Sequence, residues 1–413
     1  MNKNDVLKII SNTEYLSVTD LRYNQKKGFL FSKEKFNLFL KTKDELISEH
    51  NELFINIPLK SFSTNYIFYV DSLYLKKYFS EYIRILSSDY EYNHSNLFNR
   101  HIDEIIKSYL FSEIEGTLNI ENVPTTHKRI AELYKTDEVK DQNDIIVKNM
   151  FKAIQFIVTD KPEFTKENLF ILYKILTNNC LTPECAIKPG NYYRDDKVYI
   201  ANHEGAPVDN IDECMNSLFD LVNNSKKGTI PEDILPHICH YYILYIHPYF
   251  DFNGRTARVV AFWLSYIRHI STSPLFISEA INETKHEYYD AIENSRNTNN
   301  DLTYFLGYIF KTSIKYSLIY KNLEEMKLYF DNKGDYLTTT EWVYVKKILI
   351  HNSLNYFHYK QFLKYINCSM SKQGATKFLN KFAKYKILNK QKNTKGEVIY
   401  KVNESFITYI YVD

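Results

Sequence analysis

The chain has 413 residues, of which 44% are hydrophobic and 25% charged, and its formal net charge is +2. This length is enough for two or three domains, and the nearly balanced charge predicts no particular class of partner. Five cysteines without a CxxC pair argue against a disulfide framework and against a zinc site. The N-terminus lacks the apolar segment of a signal peptide, and no run reaches the roughly 18–20 apolar residues of a membrane span. We therefore expect a cytoplasmic protein without a membrane partner.

Residues 1–95 are predicted to form a separate N-terminal region of mixed character. Its short apolar runs 36–40 and 66–70 are expected to be strands or extended arms. The next segment has apolar residues at three- and four-residue spacing, which predicts a helix over 97–116. This helix is expected to end at Gly116, because glycine is a common helix terminator.

Further helices are predicted from periodic apolar positions, with a fold that is mainly α. Apolar helices are predicted on both sides of 247–258. Thr165 is expected to cap the helix that follows it. The Pro-Gly and Asp-Asp pairs within 188–200 predict a turn with a short β-hairpin. The other predicted helices cover 144–158, 165–176, a segment after Asp209, 283–294 and 302–320.

The composition changes after residue 320, and 321–413 is predicted to be a separate domain. Its part 337–413 holds thirteen lysines, four acidic residues and no arginine. Three helices followed by a hairpin are predicted, an order typical of a winged helix. Net positive charge permits DNA binding, but arginine is the residue best suited to base recognition. Its absence favours protein recognition or assembly into a homodimer, with weak, nonspecific DNA contact as the second choice. The predicted elements cover 340–350, 359–366, 371–383 and 387–402.

The stretch 247–258 concentrates the residues suited to chemistry. A helix is predicted to begin near Asn253, and a helix N-terminus binds phosphate through unpaired N–H groups and its dipole. Arginines add fixed positive charge, a carboxylate can hold a divalent cation, and a histidine can act as a base near neutral pH. This combination predicts a nucleotidyl or phosphoryl transfer site. The alternative is a helix–loop–helix corner whose polar residues only pair with core carboxylates. The number of chemically suited residues in so short a loop disfavours this alternative. The residues concerned are His247, Asp251, Asn253, Gly254, Arg255 and Arg258.

The same stretch resembles the signature of Fic-domain proteins, HxFx(D/E)GNGRxxR. The six residues match, while Tyr249 replaces the usual Phe and Phe252 replaces the usual Gly. The segment 189–194 resembles the family's approach to its flap hairpin. The resemblance implies a Fic-type helical core over 96–320 with a small β-hairpin flap. Because phenylalanine is costly at positive φ, either the loop has negative φ at Phe252 or the phosphate cradle is displaced.

The resemblance also implies an activity, namely transfer of AMP from ATP, with Mg²⁺, to a Tyr, Thr or Ser hydroxyl. The acceptor would belong to a target protein or to the chain itself. His247 would take the proton of the hydroxyl, and Asp251 would hold Mg²⁺ against the α- and β-phosphates. Family members that transfer phosphate instead carry Lys at the position of Gly254, so glycine favours AMP transfer.

Other roles follow from the same resemblance. The phosphates would be bound by Asn253, Gly254, Arg255 and Arg258. Tyr288 and Tyr289 would form the adenine pocket, with core packing an equal alternative for both. The hairpin would align an extended target segment through Lys197, Val198, Tyr199 and Ile200.

Residues 111–117 resemble an inhibitory-helix motif, (S/T)xxxE(G/N), with Phe111 at the Ser/Thr position. The resemblance implies that Glu115 pairs with Arg258 and blocks placement of the γ-phosphate. Alternatively, Glu115 is a solvated last-turn residue, or it orients water for removal of AMP. The alternative functions are therefore deAMPylation, transfer of another nucleotide or phospho-group, and DNA-binding regulation with the Fic core as a nucleotide sensor.

Overall fold

The computed structural model describes residues 1–23, 30–96, 102–136, 138–200, 203–224, 230–268, 277–333, 337–352, 355–366 and 369–407. The chain divides into two compact units, Met1–Ser313 and Ile314–Asp413. Helices dominate, as predicted, and the strands of the described residues form three two-stranded antiparallel sheets. None of the helices in these ranges is both long enough and apolar enough to cross a membrane.

The first unit opens with short helices and one antiparallel strand pair. The run 36–40, expected to be extended, is instead helical, because Phe36 and Phe39 recur on one buried helical face and Ser32 caps the helix. The run 66–70 does contain a strand. The elements are α1 (Lys3–Ile10), α2 (Val18–Tyr23), α3 (Lys33–Ser48), β1 (Phe54–Ile57), β2 (Ile67–Val70) and α4 (Leu73–Asn96).

The N-terminal segment predicted to be separate belongs to the same unit as the core. Lys43 Nζ lies 2.6 Å from Asp301 Oδ2, and both side chains are almost fully buried. The backbone N–H of Leu302 donates to the carbonyl of Phe68 in β2 at 2.7 Å. Removal of one partner from an ion pair buried this deeply destabilises the fold by about 3–5 kcal/mol. This pair therefore anchors the N-terminal segment to the core.

The core of the first unit is helical, and a helix lies in each predicted segment, whereas α6 and α12 were not predicted. Thr165 caps α8 as expected, accepting a hydrogen bond from the backbone N–H of Asn168 at 3.2 Å. Every residue of α10 is buried. The predicted boundary after residue 320 falls inside α14. The elements are α5 (Ile102–Ile120), α6 (His127–Lys135), α7 (Gln142–Gln155), α8 (Lys166–Thr177), β3 (Tyr199–Ile200), β4 (His203–Glu204), α9 (Val208–Asn224), α10 (Leu235–Ile246), α11 (Asn253–Ile267), α12 (Ser278–Glu283), α13 (Lys285–Asn297) and α14 (Thr303–Lys333).

Helix α5 does not end at Gly116, so that prediction is wrong; the helix continues to Ile120. The start predicted at residue 97 lies outside the described residues. A Cβ at Gly116 would collide with the backbone of Glu279 at the start of α12. The glycine therefore serves close helix packing rather than termination. Buried Glu113 fixes the same contact, accepting from the backbone N–H of Ser278 at 2.7 Å.

After the end of α14, the second unit contains three helices and then an antiparallel hairpin, in the predicted order. Phe362, Leu379 and Tyr400 lie in its core. The classification as a winged helix stays a prediction. The elements are α15 (Thr339–Asn352), α16 (Tyr359–Tyr365), α17 (Lys372–Lys384), β5 (Leu388–Lys392) and β6 (Val398–Val402).

Candidate active site

His247 ends α10 in a left-handed conformation, with φ of +55°. Its backbone N–H donates to the carbonyl of Ile243 at 2.9 Å, whereas its ring Nδ1 is buried without a hydrogen-bond partner. Burial first, and then the charges of Arg296 and Arg194, lower the pKa of His247 to about 3. The imidazole is therefore neutral at pH 7 and can accept a proton.

The side chain of Asn253 fixes the conformation of the loop after His247. Its Oδ1 accepts from the backbone N–H of Tyr249 at 3.0 Å, and its Nδ2 donates to the carbonyl of the same residue at 2.8 Å. The side chain is 2% exposed, so both of its polar ends are occupied inside the protein. The structure thus differs from the prediction that Asn253 binds nucleotide: its side chain positions the loop.

Phe252 has a φ of +65°, which excludes the alternative that the loop has negative φ there. Its ring is buried, and the guanidinium carbon of Arg255 lies 3.4 Å from the ring centre. A left-handed residue with a side chain costs about 1–2 kcal/mol, and a desolvated cation–π contact contributes about 2 kcal/mol. The stacking therefore offsets the backbone strain, which explains how a phenylalanine occupies this position.

Arg255 presents unused donors in the first turn of α11. Its Nε and Nη1 are buried without hydrogen-bond partners, and its Nη2 lies 3.7 Å from Asp251 Oδ1. The first N–H groups of a helix also lack intrahelical acceptors. Buried donors that are already oriented bind an anion without the cost of ordering them. The predicted phosphate cradle is consistent with this arrangement.

Arg258 lies one turn further along α11, and it contacts α5. Its Nε donates to Thr117 Oγ1 at 2.7 Å, and its Nη2 donates to Glu121 Oε1 at 2.6 Å. The prediction that Glu115 pairs with Arg258 is therefore wrong, since Glu115 Oε2 lies 3.5 Å from Nδ1 of His127. Six residues along a helix correspond to a rotation of about 120°, so a carboxylate at position 115 projects from a different face.

Glu121 places its carboxylate against the start of α11. A Cβ at Gly254 would collide with Glu121 Oε1, so the glycine leaves room for the carboxylate. Burial alone would raise the pKa of Glu121, but Arg258, Arg255 and Lys285 outweigh it and hold the pKa below its usual value. An ionised carboxylate of the chain thus lies in the anion site that the sequence predicts for phosphate.

The sequence contains a signal for Glu121. Residues 117–122 read Thr-Leu-Asn-Ile-Glu-Asn and fit (S/T)xxxE(G/N) at every defined position. By contrast, the placement of the motif that begins at Phe111 lacks the Ser or Thr. Thr117, the first residue of the matching motif, also has a structural role, because its hydroxyl accepts a hydrogen bond from Arg258 beside Glu121.

The two tyrosines predicted to contact adenine differ in exposure. Tyr288 is 1% exposed, and its hydroxyl is 2.9 Å from Nε2 of buried His240. Tyr288 is therefore a core residue, and its side chain offers no surface to a nucleotide. Tyr289 is 46% exposed and close enough to Glu121 and Arg258 for their charges to influence its pKa, which burial raises. Tyr289 remains the candidate of the pair.

The predicted flap is a short hairpin in which β3 pairs with β4. Tyr199 is 67% exposed there, and Lys197 Nζ lies 3.5 Å from Glu204 Oε1. Residues 201–202 are outside the described ranges. A two-residue strand at a sheet edge leaves backbone groups free for pairing with an extended segment.

Arg194, which was not among the predicted site residues, connects the flap to the His247 loop. Its Nε donates to the carbonyl of His247 at 2.8 Å, and its Nη1 donates to the carbonyl of Asp196 at 2.6 Å. A Cβ at Gly205 would lie 2.8 Å from Nη2 of the same arginine, so close packing requires a glycine there. The resembling segment 189–194 was the only sequence signal for this link.

The carboxylate of Asp251 is suited to a magnesium ion that is also coordinated by phosphate oxygens. Its side chain is 55% exposed, and Oδ1 accepts the backbone N–H of Phe252 at 2.5 Å. Oδ2 makes none of the described hydrogen bonds. Among the described residues no three His, Cys, Asp or Glu side chains converge on one point. Magnesium typically takes one or two carboxylates together with phosphate oxygens and water, and a single exposed carboxylate fits that pattern.

Disruption of the Phe252–Arg255 stack is expected to weaken ATP binding. Phe252→Leu keeps an apolar side chain but removes the aromatic face beneath the guanidinium. The loss of about 1–2 kcal/mol corresponds to a Kd that is about 10-fold higher. The Kd is measured by calorimetric titration of ATP into a variant that also carries Glu121→Gln. In that background the Glu121 carboxylate does not occupy the anion site. Phe252→Tyr retains the ring and is the control; an unchanged Kd in the leucine variant would contradict the role of the stack.

Comparison with known proteins places this loop in a family. The Fic/DOC family model matches residues 163–265. The chain is similar to the protein adenylyltransferase Fic of Nematostella vectensis, with 23% identity over 117 residues, 28% of this chain and 26% of that protein. It is also similar to the protein adenylyltransferase fic-1 of Caenorhabditis elegans, with 30% identity over 151 residues, 36% of this chain and 28% of that protein. The matched stretches thus span about a quarter of the length of these curated relatives.

A solved structure of Fic-1 from Caenorhabditis elegans is similar in fold. The TM-score is 0.51 at 18% sequence identity, and the match covers 72% of this chain and 79% of that chain. The family match contains α10, most of α11 and the segment that carries His247, Arg255 and Arg258. Residues 163–265 of this chain therefore form a Fic domain.

Proposed function

We propose that this protein transfers AMP from ATP to a hydroxyl side chain of a target protein, and that Glu121 holds it in an inhibited state. One observation supports both parts: a neutral histidine lies in the same loop as an anion site that an ionised carboxylate of the chain fills. The names of the two relatives, both protein adenylyltransferases, support AMP as the transferred group.

The residues divide the chemistry among them. His247 takes the proton of the attacking hydroxyl, whose oxygen bonds to the α-phosphorus while the bond to the β-phosphate breaks and pyrophosphate leaves. Arg255 and the N–H groups at the start of α11 bind the charged oxygens, which is the main source of rate in such transfers. Asp251 would hold Mg²⁺, which neutralises phosphate charge when bound.

Inhibition follows from the contact between Glu121 and Arg258. Both the carboxylate and a γ-phosphate require the guanidinium of Arg258, and Arg258 is 5% exposed, so it cannot bind both. Removal of Glu121 from Arg258 would therefore be required before ATP binds in a productive position. This proposal replaces Glu115 with Glu121 as the inhibitory residue.

Labelling with two forms of ATP tests the transferred group. The Glu121→Gln variant is incubated with Mg²⁺, cell lysate and ATP labelled at either the α- or the γ-phosphate. AMP transfer predicts that the label that His247→Asn removes comes from α-labelled ATP only. Label from γ-labelled ATP would indicate phosphate transfer, and loss of AMP from a modified protein would indicate deAMPylation.

A further inference from the structure

The second unit has a strongly uneven charge, and its acidic residues leave most of the lysines unneutralised. Residues 337–413 contain thirteen lysines and four acidic residues. Glu341 is buried and binds Lys381 Nζ at 2.6 Å. Glu404 pairs with Lys401 Nζ at 2.5 Å. Two of the four carboxylates are thus committed to two of the lysines.

Helix α17 presents two of the remaining lysines on one exposed face. Lys377 and Lys384 are seven residues apart, nearly two helical turns, with exposed Asn380 between them. The opposite face is the one that packs into the unit, through Ala375, Leu379 and Phe382. The polar face of α17 is therefore left to solvent in the described part of the second unit.

The hairpin extends this surface. Lys390 and Lys392 are exposed and two residues apart on β5, so they project from the same side of the strand. Lys390 Nζ donates to Asn380 Oδ1 at 2.8 Å, which joins the strand to the exposed face of α17. We call Lys377, Lys384, Lys390 and Lys392 the lysine surface. None of these four makes an ion pair with a carboxylate within the described residues.

We propose that the lysine surface binds the phosphate backbone of double-stranded DNA without reading its sequence. Four cations on one helix and the adjoining hairpin complement a polyanion with regularly spaced charges. A single α-helix fits the major groove. Lysine binds phosphate as a point charge, whereas base recognition relies on the forked donors of arginine, which residues 337–413 lack. This inference is independent of the nucleotide chemistry proposed above.

The test is the salt dependence of DNA binding by the full chain. Fluorescence anisotropy with a labelled duplex of mixed sequence gives the Kd at salt concentrations from about 50 to 200 mM. Four neutralised phosphates predict that log K falls with log salt with a slope of about −3.6 or steeper. Lys377→Gln combined with Lys384→Gln should make the slope shallower by about 1.8.

Matched controls separate this surface from general charge. Lys128→Gln combined with Lys135→Gln removes the same charge from exposed sites of the first unit and should leave the slope unchanged. Circular dichroism melting establishes that each variant is folded. The proposal is overturned if the wild-type chain does not bind at the lowest salt concentration, or if both double variants behave alike. It is also overturned by equally tight binding of polyglutamate, or by a strong preference for one DNA sequence.

Discussion

Replacing Glu121 with glutamine is expected to raise the rate of AMP transfer by about 100-fold. The variant keeps the shape of the side chain but loses the charge that binds Arg258. The anion site at the start of α11 then becomes accessible to the γ-phosphate of ATP. Separating a buried ion pair involves about 3 kcal/mol, which corresponds to about 100-fold in an equilibrium. The measurement is the initial rate of protein labelling from α-labelled ATP, at an ATP concentration below the KM of the wild-type protein.

Glu115→Gln is the matched control for this experiment. It removes one carboxylate from α5, six residues before Glu121, but that carboxylate contacts His127 rather than Arg258. We expect its rate to equal that of the wild-type protein. If both variants were equally faster, loss of negative charge alone would be responsible. If Glu121→Gln had the wild-type rate, the inhibitory role of Glu121 would be wrong.

Replacing His247 with asparagine in the Glu121→Gln background is expected to lower the rate by about 10²–10⁴-fold. That range is the typical contribution of a positioned general base. Asparagine is the informative substitution, because His247 has a φ of +55° and asparagine tolerates this conformation better than alanine. The asparagine variant should therefore keep its Tm and its affinity for ATP while losing kcat. A kcat close to that of the parent would show that another group accepts the proton.

The pH dependence of kcat/KM reports the same histidine. Because burial and neighbouring charges lower the pKa of His247 to about 3, the base is already deprotonated throughout the neutral range. The acid limb of the profile should then lie below about pH 5, rather than near the usual histidine value of about 6.5. An acid limb between pH 6 and 7 would indicate that the imidazole is more solvated than its surroundings suggest.

The proximity of the loop residues could be predicted because they are contiguous. A turn between two apolar helices fixes His247, Gly254 and Arg255 within one short segment, so their proximity follows from chain connectivity alone. The same reasoning placed α8 and its cap, where a local hydrogen bond from Thr165 is sufficient to set the helix start. Local patterns of this kind do not depend on how distant elements pack.

The partner of Arg258 depends on distant packing, and there the prediction failed. The local preference of glycine predicts a helix end at Gly116, whereas the approach of α12 to the backbone requires a glycine inside the helix. Tertiary packing thus overrode the propensity, and the carboxylate that contacts Arg258 is that of Glu121, six residues beyond Glu115. The burial of Tyr288 has a similar origin, since its partner His240 is 48 residues earlier in the chain.

The seating of α5 against α12 has a consequence for how the inhibition responds to nucleotide. In the inhibited state proposed above, Glu121 would be a competitor tethered by a packed helix rather than by a flexible linker. A rigid tether that holds a group at its site gives that group a high effective concentration. ATP would then compete with a ligand that never diffuses away, so the rate of transfer would rise gradually with the ATP concentration. Any partner that loosens the seat of Gly116 would lower this effective concentration without touching the nucleotide site.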